Sequence, residues 1–217
     1  MGSAAAGGAA LASAGGVAAG APHTEQAGKA RSASVMDTVP KISGEHTFTQ
    51  DLQNTNPNYS SGNLSWTNNC QRCVSAYEAR RRGYDVTAAP VPEGDDEISH
   101  IFPVEKGIFS PYEGAEPIDV SANSGTQAAL NIDDLMESWG DGARAIVCVQ
   151  WRAGQGHAFI AERVDGQTRY VDPQTGNPQV RTHFILAKGS GAWCGRIDNL
   201  PFTERIHECC QVRKKEG

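Results

Sequence analysis

Apolar and polar positions follow two different periods along this chain, and the change of period divides it. In residues 68–83, Cys70, Cys73, Val74 and Tyr77 stand at i, i+3, i+4 and i+7. Such spacing gathers them on one helix face and leaves Glu78, Arg80 and Arg82 on the opposite, solvated side. Asn68 and Asn69 precede the run as favoured cap residues. Gly83 follows it where a left-handed residue ends a helix, and Arg80, Arg81 and Arg82 face the negative end of the dipole. The pattern predicts a helix that begins at a cysteine. Further on the period shortens: residues 145–151 form a continuous apolar run, and residues 157–164 follow the Gly154-Gln155-Gly156 turn. Residues 168–172 come after a tight Asp165-Gly166 turn and are stopped by Pro173. These three segments predict an antiparallel meander.

Around these two units the pattern is weaker. Residues 84–90 suit a short edge strand ended by proline, and Asn131 is placed to cap a short helix through Trp139 that stops at Gly140. Residues 42–66 are dense in Asn, Ser, Gly and Thr and carry the turn signal Asn56-Pro57-Asn58-Tyr59. They read as a loop, with Tyr59, Leu64 and Trp66 pinning it to the core. Residues 91–128 read as irregular. Within them Glu93, Asp95, Asp96 and Glu97 lack calcium-loop spacing and read as a solvated acidic stretch, and His100 as a surface histidine. Residues 184–186 add one apolar stretch, before a Gly-Ser-Gly loop at 189–191. The reading is a disordered Ala/Gly-rich leader or linker at 1–41, one catalytic-size domain at 42–212 and a charged tail at 213–217.

Composition narrows the function. With 19 basic and 25 acidic residues the net charge is -6, so a phosphate backbone is a poor partner and nucleic-acid binding is not expected. No run approaches the roughly 18 apolar residues of a membrane span. Residues 1–22 lack the charged start of a signal peptide. Six cysteines in 217 residues compel no disulfide framework. Cys70 and Cys73 with Cys209 and Cys210 lack the paired spacing of a zinc site, and a redox reading of Cys70-Gln71-Arg72-Cys73 lacks its preceding strand. No cofactor and no metal are expected.

A thiol in the first turn of a helix lies where unpaired N–H groups favour negative charge, which lowers its pKa from about 8.5 into a range of roughly 3.5 to 7.5. Cys70 holds that position and Cys73 lies one turn deeper. A thiolate nucleophile needs a histidine to manage its proton and a third polar group to orient the imidazole. His157 opens the second strand of the meander and Asp172 closes the third, and antiparallel pairing brings a strand's start beside the next strand's end. Gln174 ranks behind Asp172 as the histidine's partner, since a carboxylate stabilises imidazolium more strongly than a neutral amide. Cysteine, histidine and aspartate then follow in the chain order of papain-like enzymes, an α+β fold with a cysteine-bearing helix packed against an antiparallel sheet.

Particular blocks carry a closer resemblance. Asn56-Pro57-Asn58, Asn69-Cys70-Gln71-Arg72-Cys73 with Tyr77-Glu78, and Arg81-Arg82-Gly83-Tyr84 form its first half. Gly156-His157-Ala158-Phe159, Tyr170-Val171-Asp172-Pro173-Gln174-Thr175-Gly176 and Ile197-Asp198-Asn199-Leu200 form its second. Together, across residues 55–208, they resemble the papain-fold toxin family of toxin glutamine deamidases. The resemblance implies Cys70 as nucleophile, His157 as general base and acid, and Asp172 as orienting residue. It also implies a protein substrate bearing a target glutamine, a cognate immunity protein, and delivery into a target cell. Asn68, Asn69 and Gln174 are the supporting candidates for the oxyanion or for orienting the histidine. Three other readings stay open: a cysteine protease or isopeptidase using the same residues, a non-catalytic module, and a redox or zinc protein built on Cys70 and Cys73.

Overall fold

The computed structural model describes residues 35–94, 96–102 and 107–213. Residues 1–34 of the expected leader, Asp95 of the acidic stretch and residues 214–217 of the tail lie outside the described residues.

Helix α1 (Phe48–Thr55) and the single turn α2 (Leu64–Thr67) lead to helix α3 (Cys70–Arg81). After β1 (Val86–Ala88) and β2 (Ile118–Asp119) comes helix α4 (Gly125–Trp139). Strands β3 (Arg144–Gln150), β4 (Gly156–Val164) and β5 (Gln167–Val171) make the meander. The chain ends with α5 (His183–Leu186), β6 (Trp193–Arg196), α6 (Ile206–Cys209) and β7 (Cys210–Val212). Five strands form one sheet in the order β2-β6-β3-β4-β5, and β1 pairs with β7 in a separate two-stranded sheet; every pairing is antiparallel. This is the α+β arrangement expected, with β6 and β2 added outside the meander. The hairpin turn is as tight as its residues imply, with Asp165 and Gly166 both at positive φ (50° and 72°).

Both faces of the large sheet are covered. On β3 and β4, Ile146, Cys148, Ala158 and Ile160 point into the core shared with α3. Ala145, Val147, Val149, Phe159 and Ala161 point into the core shared with α4. The alternation that identifies a strand therefore sorts side chains between two layers rather than between core and solvent.

Helix α3 departs from the expected amphipathic pattern: Glu78 and Arg80, assigned to a solvated face, are buried, as are Gln71 and Arg72. Their charges are matched within the protein. Glu78 accepts from Arg144 (2.6 and 2.9 Å), on β3, and from Arg82 (2.6 Å). Arg80 donates to the Val86 carbonyl at 2.8 Å and lies against Asp51 and Asp85. Arg81 bridges Asp51 of α1 and Glu162 of β4, and Tyr77 donates to Glu162 at 2.8 Å. Gly83 ends the helix at φ +85° as the sequence implies.

Elsewhere the structure corrects the sequence reading. Residues 42–66 are not a plain loop. Thr47 and Gln50 form a reciprocal capping box that starts α1, and Leu52 of α1, not Tyr59, Leu64 or Trp66, enters the core. Leu64 is 71% exposed. Helix α4 begins at Gly125 with Ser124 as its cap, not at Asn131, whose amide instead reaches the Val120 carbonyl. Residues 35–41 pack on the domain: Met36 is fully buried and Lys41 bridges to Tyr84. Asp96 is no free acidic loop residue, since it pairs with Arg72 at 2.6 Å.

Burial raises the Glu78 carboxyl pKa, but Arg144 and Arg82 outweigh it and hold the group at about 2, below its ordinary 4.5. Its stabilising contribution is therefore complete above pH 4.5 and is lost as the pH falls toward 2. Replacing Glu78 with leucine leaves two arginines without their acid and should cost about 3 kcal/mol or more in denaturant unfolding. The wild-type loss of stability between those pH values should be correspondingly smaller in Glu78→Leu.

Candidate active site

Cys70 is the first residue of α3, and the first intrahelical acceptor, the Asn69 carbonyl, serves Arg72 and Cys73. The Cys70 and Gln71 N–H groups thus precede the helical hydrogen-bond pattern and remain available at its positive end. Asn69 occupies the cap position without capping. Its buried carboxamide donates to the Ala89 carbonyl (3.1 Å) and to Asn56 (3.4 Å), and accepts from Asn56 (3.1 Å) and the Cys73 thiol (3.2 Å). With both N–H groups committed, Asn69 is a brace of the helix start and not an oxyanion donor. Asn68 is exposed on the cleft.

His157 is the second residue of β4, and the register of β4 with β5 places Ile160 opposite Val171. One step further puts Asp172 opposite Phe159 and diagonal to His157 on the same face, a separation that long side chains span. The His157 Nε2 to Asp172 Oδ2 distance is 3.1 Å. That leaves Nδ1 as the ring nitrogen free to face sulfur. Cys70 and His157 line the same cleft, where α3 lies beside the first residues of β4, and the Cys70 sulfur acts on the imidazole electrostatically. Contacts of this kind are commonly loose until substrate is bound. Burial alone would lower the His157 pKa. The Asp172 hydrogen bond and the Cys70 sulfur overcome it and raise the value to about 10, so the ring carries its proton at neutral pH.

Asp172 is itself fixed on both oxygens. Oδ1 accepts from the Gln174 N–H at 2.9 Å, Oδ2 accepts from the Thr175 hydroxyl at 3.0 Å, and His183 Nε2 approaches Oδ2 at 3.7 Å. Burial raises the pKa of this carboxyl, but its imidazole partners bring it well below the usual carboxylate range. The Gln174 side chain donates to the Thr67 carbonyl at 3.1 Å and makes no bond to His157. The His157 ring is hydrogen-bonded to Asp172, and Gln174 fastens the Asp172 turn to α2.

Cys70, His157 and Gln174 line a cleft of about 570 Å³. Thr67, Asn68, Cys70 and Gln71 form one wall. The β3–β4 turn with Trp151, Gln155 and Gly156 forms another, and residues 99–102 close the third. His100, read as an ordinary surface residue, lies on this last wall. Trp151 stacks on His157 with ring centroids 5.6 Å apart, and His183 meets both rings edge-on. Burial raises the thiol pKa values of Cys194 and Cys209 to about 12 and pushes those of Cys73 and Cys148 well up. Those four sulfurs are uncharged at neutral pH.

A family model described as papain fold toxin 1, glutamine deamidase, matches residues 68–177. The chain belongs to this family. No curated protein and no solved structure gives a significant match. The stretch shared with the papain-fold toxins begins at the α3 cap and ends just past the Asp172 turn, so it contains Cys70, His157, Asp172 and Gln174. It leaves out Asn56 and His183. Asn56, which the sequence marks as a turn and as part of the family resemblance but not as a support of the site, has an Nδ2 that lies 3.0–3.1 Å from Asn69 Oδ1 and from the Trp66 and Gln174 carbonyls. His183 had no signal at all, since α5 reaches the site only through the fold. Among the described residues no helix is long and apolar enough to cross a membrane.

Because Asp172 holds the imidazolium, Asp172→Asn should lower the pH at which His157 loses its proton, from about 10, by about one unit or more. The midpoint is read from the His157 ring signals in an NMR titration, and an unmoved midpoint would separate Asp172 from the histidine's charge.

Proposed function

We propose that this papain-fold toxin domain is a protein-glutamine deamidase in which Cys70 attacks the side-chain carboxamide carbon of a glutamine. The observation that carries the reading is that Cys70 and His157 line one open cleft, with the buried Asp172 carboxylate 3.1 Å from the His157 ring. His157 carries the proton before attack, and the Cys70 sulfur is the attacking atom. As sulfur bonds to carbon, the carboxamide oxygen gains charge toward the Cys70 and Gln71 N–H groups, with Asn68 at the cleft rim as a further donor. Each such donor is worth roughly 2.7 to 4 kcal/mol of barrier. His157 then gives its proton to the departing nitrogen, ammonia leaves, and a thioester remains on Cys70. Water, deprotonated by the now neutral His157, attacks the thioester carbon. Glutamate and free enzyme result, with Asp172 stabilising the imidazolium in both half-reactions.

The membership in a glutamine deamidase toxin family supports amide hydrolysis at glutamine over peptide cleavage, and a cognate immunity protein that covers the cleft fits the same reading. Incubating a bacterial proteome with wild type should release ammonia and convert particular glutamines to glutamate. Cys70→Ser should reduce both by about a thousandfold or more. New peptide termini without ammonia would instead make the enzyme a protease, and equal conversion by Cys70→Ser would remove the thiol from the mechanism.

A further inference from the structure

Beyond catalysis, we propose that His157, Asp172 and His183 form a chelating site for a borderline transition-metal cation, Zn²⁺ above all, and that the ion bound there holds the enzyme inactive. Among the described residues these three offer one ligand atom each with all the atoms within 4.8 Å of one another. In tetrahedral zinc sites the metal–ligand distances of about 2.0–2.2 Å place neighbouring ligand atoms about 3.3–3.6 Å apart. The Asp172 oxygen already stands 3.1 Å from His157 Nε2 and 3.7 Å from His183 Nε2. The remaining adjustment falls to His183, whose side chain is 25% exposed and forms the open side of the cluster. Two imidazoles and one carboxylate suit zinc and exclude calcium or magnesium, which require oxygen.

The outer contacts suit a metal as well. Asp172 is held by the Thr175 hydroxyl and the Gln174 N–H. Ligands braced in this way keep the orientation a metal needs. The ion replaces the proton shared by His157 and Asp172, and that proton goes to solvent. An imidazole bound to zinc through Nε2 keeps its Nδ1 proton and gives it up only with difficulty, so departing ammonia would go unprotonated. Binding itself rests on geometry alone; only its consequence for turnover rests on the deamidase reading.

The test uses the full chain carrying Cys70→Ser, so that no catalytic thiolate contributes. Equilibrium dialysis against Zn²⁺ should give one ion per chain, and adding His183→Gln should weaken binding at least about tenfold. Co²⁺ in the Cys70→Ser protein should give the intense visible bands of a four-coordinate site without sulfur-to-cobalt charge transfer, and the His157 and His183 ring signals should shift together. Undiminished binding in the His183 variant, a sulfur charge-transfer band, or no binding to Cys70→Ser would each overturn the site. With wild type, micromolar Zn²⁺ should stop ammonia release and EDTA should restore it. Binding without inhibition would leave the site standing and overturn the inactive state.

Discussion

The contact on which the rest depends is the one between Glu78, inside helix α3, and Arg144, on the first strand of the meander, 66 residues later. It is the centre of a set of buried charges that surrounds the cysteine helix, continued by Arg82 on Glu78, Arg80 on Asp51 and Asp85, and Arg81 on Glu162. Buried ion pairs add little net stability over a well-packed apolar contact, yet breaking one costs about 3–5 kcal/mol because a charge is left without its partner. Their effect is registration. A helix held by apolar packing alone can slide by a fraction of a turn with modest loss. A helix whose Glu78 fits Arg144, whose Arg80 and Arg81 fit acids on other elements and whose Arg82 reaches the Ile197 and Leu200 carbonyls has one position.

That position decides whether Cys70 comes near His157, because the two residues come from different layers. Cys70 belongs to the core on the α3 side of the sheet, whereas His157 shares the face of Phe159, which α4 and α5 cover. They line one cleft only because α3 lies beside the first residues of β4. A slip of one residue along the helix would move the sulfur about 1.5 Å and swing it about 100° around the axis, which would take it out of reach of the imidazole. At the near end the Asn56 and Asn69 carboxamides tie the start of α3 to the Gln174 carbonyl, one turn from Asp172. The helix is therefore fixed at its charged end against the sheet and at its cysteine end against the loop that carries the carboxylate.

Legibility in the sequence follows the range of the interactions involved. The meander, its Asp165-Gly166 turn and the Cys70 helix with its Gly83 stop are set by local periodicity and turn chemistry, and the order of Cys70, His157 and Asp172 could be read on top of them. Helix α1 was also locally encoded, in the Thr47 and Gln50 capping box, but the surrounding Asn, Ser and Gly masked it. The burial of Glu78 and Arg80 was not legible, because a charged residue reads as solvated unless its distant partner is known. Asn69 was misread for a related reason: an asparagine before a helix is usually a cap, and here Asn56 and the Ala89 carbonyl claim its amide instead. His183 arrives beside Asp172 because α5 packs onto the start of α4. Gly125 permits that contact, since a Cβ there would collide with the Phe184 carbonyl.

The same physical solution, a buried carboxylate satisfied on both oxygens, appears at Glu78 and at Asp172 with different partners. Around Glu78 the partners are arginines, whose guanidinium keeps its charge at any pH the protein meets, so the network is permanent. Around Asp172 the nearest cation is an imidazolium, whose proton can leave when the chemistry requires it. An arginine in place of His157 would also satisfy Asp172, but it could not give up and regain the proton that the proposed mechanism requires. The difference between the structural and the functional centre therefore lies in the choice of cation and not in burial, charge or hydrogen-bond count. For that reason the site stands at the sheet's end, where the proton has a path to the cleft, while the Glu78 cluster is closed inside.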